Sequence, residues 1–470
     1  MNDIDLCYTG AKKLARMLRT RKVSVTEVMR AFIARIEQVN PKVNAIVTFL
    51  PEEALKKAKA LDRKGAFLGP LAGLPIAHKD IVPTRGVRTT FGSPIYRDHV
   101  PTQDHAIVER LRDAGAIMIG KTNTPEFAVG AQTFNPVFGA TRNPYDLSKT
   151  SGGSSGGAAA SVASGMLPFA DGSDLGSSLR NPASFCNVVG FRPTPGRVPN
   201  WPFTNVWDTL WSVGPIARTV EDTALLFSAM AGPDARVPTT HAEPGKVFAR
   251  PLARSFRKVR VAWSRNLGAF PVDARVSRVL ESQRAVLQSL GCIVEDAEPD
   301  LSEADEAFQV QRAIGFVEAY GELIKTQRAQ MKDTVAWNID EGLKMDAARI
   351  AKANVLRARV FDTMRGFLER YEFLLLPTVQ VPPFPVDQPY VTEINGEKLA
   401  NYMEWMKSTY LVTATSHPAI SVPAGFTDDG LPVGLQIVGR YRDDFGVLQL
   451  ANAFEGATEV WKRRPGIAAG

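Results

Sequence analysis

Residues 150–165 read TSGGSSGGAAASVASG and form the only low-complexity segment of the sequence. Taken alone, GGSSGG at 152–157 is as typical of a flexible linker as of a functional loop, because glycine and serine lower the cost of disorder. The residues that follow are small and suit a helix that packs closely against other backbone. Glycines also let backbone approach a ligand, and the amides at a helix N-terminus favour negative charge. The segment therefore predicts an anion-stabilising turn followed by a buried helix.

The same letters match G-x-S-x-G at 152–156, the nucleophile turn of the α/β-hydrolases, with Ser154 as the nucleophile. That turn requires a strand directly before it. The preceding residues, ATRNPYDLSK, are too polar for a central strand and are interrupted by proline. This class of enzyme also needs a histidine later in the sequence than the serine. Of the five histidines, only His241 and His417 come after Ser154. We therefore do not expect a nucleophile turn of this kind.

A second short match is GAIMIGKT at 115–122, which fits the phosphate-binding pattern G-x-x-x-x-G-K-[ST]. Its middle residues are apolar and typical of a strand instead of a phosphate-binding loop. Pro125 follows so closely that a helix cannot begin at the lysine. The pattern predicts a buried strand end.

Short apolar runs and helical patterns alternate along the whole sequence, which favours an α/β fold with a sheet layered between helices. Ser24 and Glu27 form a capping box that predicts the start of an amphipathic helix. Predicted strands are GLPIAHKDIV at 73–82, AIMIG at 116–120, VRVAWS at 259–264, CIVED at 292–296, FLLLP at 373–377, AISVPAG at 419–425 and GLQIVG at 434–439. Predicted helices include 104–114 and 274–290. The Pro-containing stretches 232–246 and 377–389 are candidate breaks or long surface loops.

Composition and charge are those of a globular protein, with 44% hydrophobic and 22% charged residues among 470. The net charge of +7 is not concentrated, and its densest stretch, 250–260, is interpreted as a solvated face, so no nucleic-acid partner is expected. Three widely spaced cysteines indicate neither a disulfide framework nor a metal site. No signal peptide and no apolar run long enough to cross a membrane is visible, so we expect a cytoplasmic protein without a membrane partner.

The run DGSDLGSSLRNPASFCNVVGFRPTPGRVP at 171–199, together with GGSSGG and the lysine of AHKDIV, resembles the amidase signature family. Three separated motifs occur in the family's order, and the resemblance continues through GATRNPYD, VGPIARTVEDTALL, HPAISVPAGF and LPVGLQIVGR. It implies a single domain over 1–470 with an α/β/α layered fold, in which helices flank a mixed twisted β-sheet. Core motifs would occupy 65–230, a variable substrate-shaping region about 232–415, and returning C-terminal strands 416–440.

The resemblance also implies the roles of individual residues. Ser178 would be the acyl-enzyme nucleophile, Ser154 the bridging serine after a cis peptide bond, and Lys79 the base. Backbone amides of the loop would form the oxyanion hole, and neighbouring side chains would hold its shape. The implied oxyanion residues are Leu175, Gly176 and Ser177, with Ser178 itself, and the implied supporting residues are Ser155, Asp174 and Arg180. The family usually has a second glycine where this sequence has Ser177, which puts the breadth of substrates in doubt.

The chemistry requires these residue types. A serine hydroxyl is a weak nucleophile that must lose its proton to a base as it attacks. An ordinary lysine has a pKa of about 10.4, so Lys79 must be desolvated before it can accept that proton. The resulting reaction is acyl transfer from an amide to Ser178 and then to water, and it needs no metal or organic cofactor.

The substrate pocket and the biological setting are less determined by the sequence. Aromatic residues that could line an acyl pocket, but are as readily explained as core, are Phe127, Phe134, Trp207 and Trp211. We expect a stand-alone amidase acting on a small-molecule amide, and leave a homodimer open. One alternative is the glutaminase-type A subunit of a tRNA-dependent amidotransferase, which would need partner chains. Another is a catalytically silent binding scaffold, against which the intact Lys79, Ser154 and Ser178 argue.

Overall fold

The structure is a computed structural model that describes residues 2–65 and 69–468. The predicted core range 65–230 and the predicted domain 1–470 therefore include a few residues, 1, 66–68 and 469–470, that lie outside the described part. Within the described residues, no helix combines the length and the apolar character needed to cross a membrane.

The described residues form sixteen α-helices and fifteen strands. The helices are α1 (Asp3–Tyr8), α2 (Ala11–Arg19), α3 (Val25–Val43), α4 (Pro51–Lys64), α5 (Ala106–Asp113), α6 (Gly156–Ala163), α7 (Arg180–Phe185), α8 (Val220–Met230), α9 (Ala274–Glu281), α10 (Arg284–Ser289), α11 (Ala304–Tyr320), α12 (Ile324–Gln327), α13 (Asp333–Leu343), α14 (Ala347–Arg370), α15 (Lys407–Ala414) and α16 (Asp444–Thr458). The strands are β1 (Ile46–Phe49), β2 (Pro75–Lys79), β3 (Ile117–Thr122), β4 (Phe134–Asn135), β5 (Gly139–Ala140), β6 (Phe169–Asp174), β7 (Val189–Arg192), β8 (Ser212–Ala217), β9 (Arg260–Trp263), β10 (Ile293–Asp296), β11 (Phe373–Pro377), β12 (Glu393–Ile394), β13 (Glu397–Lys398), β14 (Ala419–Phe426) and β15 (Pro432–Gly439).

The central sheet has eight strands in the order β10-β9-β11-β15-β14-β7-β8-β6. The first three are parallel and the remaining pairs antiparallel, so the sheet is mixed, as predicted. Along β11, Phe373 and Leu375 belong to one hydrophobic cluster and Leu374 and Leu376 to another. Because side chains alternate across a strand, the two clusters lie on opposite faces of the sheet. Both faces are covered, which confirms the predicted layered α/β fold.

A separate three-stranded sheet, ordered β1-β3-β2, carries the predicted lysine motif. Strand β2 ends at Lys79 and pairs in parallel with β3, with Lys79 opposite Thr122. The segment that matches the phosphate-binding pattern, 115–122, contains β3, and its lysine, Lys121, is fully buried. The prediction of a buried strand end is therefore confirmed.

The glycine- and serine-rich segment is neither a linker nor a strand-to-helix turn. Every residue of α6 is buried, and a Cβ at Gly157 would lie 2.3 Å from the backbone nitrogen of Asn123. A larger residue cannot fit there, which explains the run of small side chains. The residues between Asn143 and Ser155 belong to no strand, so the α/β-hydrolase turn is absent from this described segment.

Two predicted boundaries differ from the structure. The helix predicted at 274–290 is two helices, α9 and α10, because the chain tightens at Gln283, whose N–H bonds to the carbonyl of Leu280 three residues earlier. The Pro-rich stretch 377–389 is a surface segment only in its second part, where Pro385, Asp387 and Pro389 are exposed. Val379, Val381 and Phe384 are buried in the second hydrophobic cluster, so the first part, 377–384, belongs to the interior. The capping box at Ser24 and Glu27 is formed as predicted.

Candidate active site

Lys79 lies at the end of β2 and is completely buried among hydroxyl groups. Its Nζ is 2.6 Å from Ser154 Oγ, 3.0 Å from Ser155 Oγ and 3.0 Å from Ser173 Oγ. The backbone N–H of Lys79 donates to Asp171 Oδ2 at 3.1 Å, which anchors the strand end. The structure therefore brings together two of the three predicted catalytic residues in direct contact.

Burial lowers the pKa of Lys79 from its usual value to about 7, although the carboxylates of Asp174 and Asp171 oppose the shift. A substantial fraction of the amine is then uncharged at neutral pH. An ammonium group can donate in all three hydroxyl contacts, whereas a neutral amine has two N–H donors and one lone pair. In the neutral form one hydroxyl must therefore donate to the nitrogen, and Ser154 is the nearest of the three.

Ser154 is held by the glycine-rich loop that precedes α6. The peptide bond between Gly153 and Ser154 is cis, as the family resemblance implied. Gly152 has φ +73°, a conformation that favours glycine, and the N–H of Gly153 donates to Asn181 Oδ1 at 3.0 Å. The loop thus places the Ser154 hydroxyl against Lys79 through backbone geometry that needs glycine.

Ser178 lies next to this pair but is not hydrogen-bonded to it through its side chain. Its carbonyl accepts a hydrogen bond from the N–H of Ser155 at 3.3 Å, which fixes the two loops side by side. The hydroxyl of Ser178 is partly exposed and bonds to none of the residues that the structure describes. The hydrogen bond between Lys79 and Ser154 is formed, and the Ser178 hydroxyl makes none to Ser154 in this structure.

The loop from Leu175 to Ser178 carries backbone amides with no acceptor. None of these four N–H groups donates a hydrogen bond to a residue in the described ranges, although the next amide, that of Leu179, donates to Asp174 Oδ2 at 3.1 Å. Converging unused donors beside a nucleophile are what a developing oxyanion needs. Ser177 has no positive φ, so a residue other than glycine fits there, and its hydroxyl lies 3.3 Å from Met406 Sδ.

Asp174 and Arg180 form a buried ion pair that holds the loop 175–178 in place. Arg180 donates to both carboxylate oxygens of Asp174, at 3.0 and 2.9 Å, and to the carbonyl of Gly176 at 3.0 Å. Both side chains are fully buried. Burial alone would raise the pKa of Asp174, but Arg180 and Arg192 outweigh it and lower the pKa overall. A buried charged pair of this kind ties the carbonyl of Gly176 to the core and does not use the N–H groups of the loop.

The predicted pocket residues lie in different places. Phe127 and Trp211 line a cavity of about 460 Å³ that also contains Ser173, the hydroxyl partner of Lys79. Trp207 lines a second cavity of about 300 Å³ that begins at Leu175. Phe134 lines neither of these cavities and packs instead under the Lys332 ammonium, 4.2 Å from its ring.

Two contributors were not foreseen from the sequence. Ser173 touches the Lys79 amine, and Asp171 binds both the Lys79 backbone and the ring of His78, at 2.6 Å. Both are in β6 at positions that share one face of the strand, the face that meets β2. Their spacing of two residues within DGSD was the available signal.

Comparison with known proteins identifies the family of the chain. The Amidase family model matches residues 27–448. The acylamidase of Rhodococcus erythropolis is 36% identical over 471 residues, covering 99% of this chain and 98% of that protein. The A subunit of the Glutamyl-tRNA(Gln) amidotransferase of Carboxydothermus hydrogenoformans is 35% identical over 495 residues, covering 98% and 100%.

Among solved structures, a bacterial aryl acylamidase of the amidase signature family superposes with a TM-score of 0.92 at 32% identity, covering 98% of this chain and 99% of that one. The family model and both relatives span nearly the whole sequence. The chain therefore belongs to the amidase signature family, and it is an amidase, a hydrolase of carbon–nitrogen bonds other than peptide bonds.

Proposed function

We propose that Ser178 is the nucleophile, Ser154 the proton relay and Lys79 the base of this amidase. The observation that carries the proposal is the 2.6 Å contact between Lys79 Nζ and Ser154 Oγ, at an amine whose pKa burial lowers to about 7. A lysine in this state accepts a proton near neutral pH, so no histidine is needed. His78, the nearest histidine in sequence, is engaged by Asp171 instead.

The reaction follows from these positions. As the Ser178 oxygen bonds to the amide carbonyl carbon, its proton passes to Ser154 and the Ser154 proton passes to Lys79. The carbonyl oxygen becomes negative and is stabilised by the unused amides of the 175–178 loop, each worth roughly 3–4 kcal/mol. Ser154 then gives its proton to the leaving nitrogen and regains one from Lys79, the C–N bond breaks as the carbonyl re-forms, and ammonia or an amine departs. Water attacks the remaining ester in the same way and releases the acid and free Ser178.

The substrate class that we favour is a small amide with an aromatic or bulky apolar group. The cavity beside Ser173 is large enough for such a group and is lined mainly by aromatic and aliphatic side chains. None of the described residues that line it is Asp, Glu, Lys or Arg. The names of the acylamidase and aryl acylamidase relatives point to the same class. Phe127 and Trp211 would contact the apolar group.

A second candidate is a glutaminase that serves a tRNA-dependent amidotransferase together with partner chains. Its support is the 35% identity to a protein of that kind and the charge of the smaller cavity, which carries Asp208, Glu318 and Arg357 beside Leu175. Charges of both signs could receive the ammonium and carboxylate of glutamine. Trp207 also lines this cavity and would be a wall of the glutamine site.

One experiment tests the nucleophile assignment and the silent-scaffold alternative. The purified chain is treated with a serine-reactive phosphonate, and the adduct is located by peptide mass, with Ser178→Ala as the matched control. We expect a single adduct on Ser178 that is absent from the variant. An adduct on Ser154 that persists in Ser178→Ala would overturn the nucleophile assignment, and no adduct at all would support a scaffold.

A substrate panel then identifies the class. Anilides and aromatic primary amides, aliphatic amides and glutamine are compared by release of amine or ammonia from the lone chain. Turnover of the anilides supports the stand-alone amidase. If glutamine is the one compound of the panel that releases ammonia, and does so only after partner chains are added, the amidotransferase role is supported.

The setting we propose is a cytoplasmic enzyme without a nucleic-acid partner. Two of the five basic residues of the densest stretch, 250–260, have carboxylate partners within the chain: Arg254 pairs with Glu372 at 2.5 Å and Arg260 with Glu295 at 2.7 Å. Arginines that already have carboxylate partners give little attraction to phosphates. A homodimer is the assembly to test, by light scattering of the purified chain.

A further inference from the structure

A third cavity of about 450 Å³ lies away from Lys79 and its serines, between helices α11, α13 and α14. It shares no lining residue with the two cavities near the catalytic serines. Its described lining residues are Ser302, Asp305, Glu306, Gln309, Arg312, Ala313, Trp337, Asn338, Glu341, Met345, Arg349 and Asn401. No step of the proposed reaction uses any of them.

Arg312 is the unusual residue of this cavity. It is only 4% exposed, yet no carboxylate of the described residues pairs with it. Its one hydrogen bond runs from Nη2 to the hydroxyl of Tyr402. Buried arginines are normally paired with an acid, because a charge without a partner is costly to remove from water. The remaining guanidinium N–H groups have no acceptor in the described part of the chain.

Two aromatic rings contact Arg312 without using those donors. The guanidinium carbon is 4.9 Å from the centre of the Phe316 ring and 5.7 Å from that of Tyr402. A cation–π contact stabilises the charge without consuming a hydrogen-bond donor. The rings therefore explain how the charge is tolerated, and the N–H groups of Nε and Nη1 keep no partner among the described residues in a side chain that lines the cavity.

The acids around the cavity do not neutralise Arg312, because each already has a lysine partner. Glu306 pairs with Lys352 at 3.1 Å and Glu341 with Lys344 at 2.6 Å. Asp305 is 3.5 Å from Lys407 and also accepts the hydroxyl of Tyr410. The second arginine of the cavity, Arg349, likewise forms no ion pair with a described residue. The cavity is therefore lined by three acids with lysine partners and by two arginines, the buried Arg312 and the exposed Arg349, that pair with none of them.

We propose that this cavity binds a small aromatic carboxylate. The planar carboxylate would receive the in-plane donors of Arg312, a geometry that guanidinium groups match better than ammonium groups do. Trp337 is 38% exposed and lies edge-on to Tyr402, and with Met345 it offers an apolar wall for the ring of the ligand. A volume of about 450 Å³ suits a ligand of this size.

This ligand site goes beyond the proposed function and does not depend on it. Carboxylic acids of this class are also what an amidase releases from aromatic amides, so the enzyme's own products belong to the same chemical class. Because no lining residue is shared with the proposed catalytic machinery, binding at this cavity can be measured whether or not Ser178 is the nucleophile.

The test uses the full-length protein and 4-iodobenzoate as the probe. Crystals soaked in the probe are examined for the anomalous signal of iodine, which locates the ligand directly. We expect a peak between α11 and α13 with the carboxylate at Arg312. A peak confined to the cavities beside Ser173 and Leu175 would overturn the proposal, because the probe would then bind only in the catalytic cleft.

Calorimetry measures the contribution of individual residues. We expect Arg312→Met to weaken benzoate binding at this site about tenfold or more, since a charge-assisted hydrogen-bonded pair is lost. Trp337→Ala, at a half-exposed position, provides a variant that should fold even if Arg312→Met does not, and should weaken binding several-fold. Arg278→Met removes an exposed arginine elsewhere and is the control, with unchanged binding expected.

Inorganic phosphate distinguishes a carboxylate site from a general anion site. We expect phosphate at the same concentration to bind more weakly and not to displace 4-iodobenzoate, because it lacks the ring that packs against Trp337. Equal binding of phosphate, or benzoate binding that is unchanged in both Arg312→Met and Trp337→Ala, contradicts the proposal.

Discussion

Two buried lysines on neighbouring strands have different surroundings. Lys79 ends β2 and Lys121 is in β3, and both are completely buried. Burial lowers the pKa of both, to about 7 for Lys79 and to about 8 for Lys121. Lys79 contacts three hydroxyls, whereas Lys121 donates to the carbonyl of Val82 and to the hydroxyl of Thr84, at 3.0 Å for the latter.

The difference shows that desolvation alone does not make a lysine a base. The Val82 carbonyl can only accept a hydrogen bond, and the Thr84 hydroxyl donates its own proton to that carbonyl, so both contacts use N–H groups of Lys121 and neither donates to its nitrogen. A hydroxyl both donates and accepts, so the contact between Lys79 and Ser154 survives when the proton moves across it. The carboxylate of Asp80 also favours the charged form of Lys121. Lys79 is arranged to exchange a proton and Lys121 to hold one.

The largest expected effect comes from removing the Lys79 amine. Lys79→Met keeps the volume of the side chain but removes the base, and we expect kcat/KM to fall roughly 10³- to 10⁴-fold, the contribution of a positioned general base. Initial rates of anilide hydrolysis measure the loss, and circular dichroism checks the fold. A folded variant that keeps more than a tenth of the activity would contradict the assignment of Lys79 as base.

The matching change at Lys121 is expected to affect stability instead. Lys121→Met removes the buried donor to the Val82 carbonyl and the Thr84 hydroxyl, and leaving such a buried acceptor unsatisfied costs about 1–3 kcal/mol. We expect urea unfolding to reveal a loss of this order, while the folded fraction keeps kcat within a few-fold. If Lys121→Met folds normally and is as inactive as Lys79→Met, the distinction between the two lysines fails.

The sequence alone distinguished these lysines through their context. GAIMIGKT matched a phosphate-loop pattern letter for letter, but apolar residues within it and Pro125 after it predicted a strand, which is what β3 is. Lys79 was assigned through the resemblance of three separated motifs, and no periodicity around it indicated a base. Strand periodicity and motif order were therefore sufficient for the layered fold and for the Lys79–Ser154 pair.

What the sequence did not predict depends on contacts between distant segments. Ser173 and Asp171 contact Lys79 only because β6 lies beside β2, although these strands belong to different sheets. The burial of 377–384 was missed because proline-rich composition is typical of exposed loops, whereas Phe384 packs edge-on against Trp405, with 5.2 Å between the rings. Such packing is decided by the tertiary partner, which local composition does not contain.

The pH dependence of activity is a third test of the difference between Lys79 and Lys121, with a smaller expected effect on the rate than Lys79→Met. Only the neutral form of Lys79 is a base, and with a pKa of about 7 its population falls tenfold for each unit below that pH. We expect log kcat/KM of an uncharged anilide to rise with unit slope up to about pH 7 and to be level above it. A rate that continues to rise to pH 10 would mean that the pKa of Lys79 is that of a lysine in water, and that burial does not lower it.

The smallest effect we predict comes from Ser173, whose hydroxyl accepts a hydrogen bond from Lys79 at 3.0 Å. A hydrogen bond of this kind favours the charged amine, so Ser173→Ala should lower the pKa of Lys79 and move the midpoint of the pH profile to more acid pH. The rate on the plateau should change by no more than about fivefold, because Ser154 keeps its contact. Ser161→Ala is the matched control, since this buried serine bonds to the carbonyl of Ala158 within α6 and not to Lys79. A midpoint that moves toward alkaline pH, or moves equally in both variants, would mean that the hydroxyls around Lys79 do not govern its protonation, and the contrast with Lys121 would then rest on burial alone.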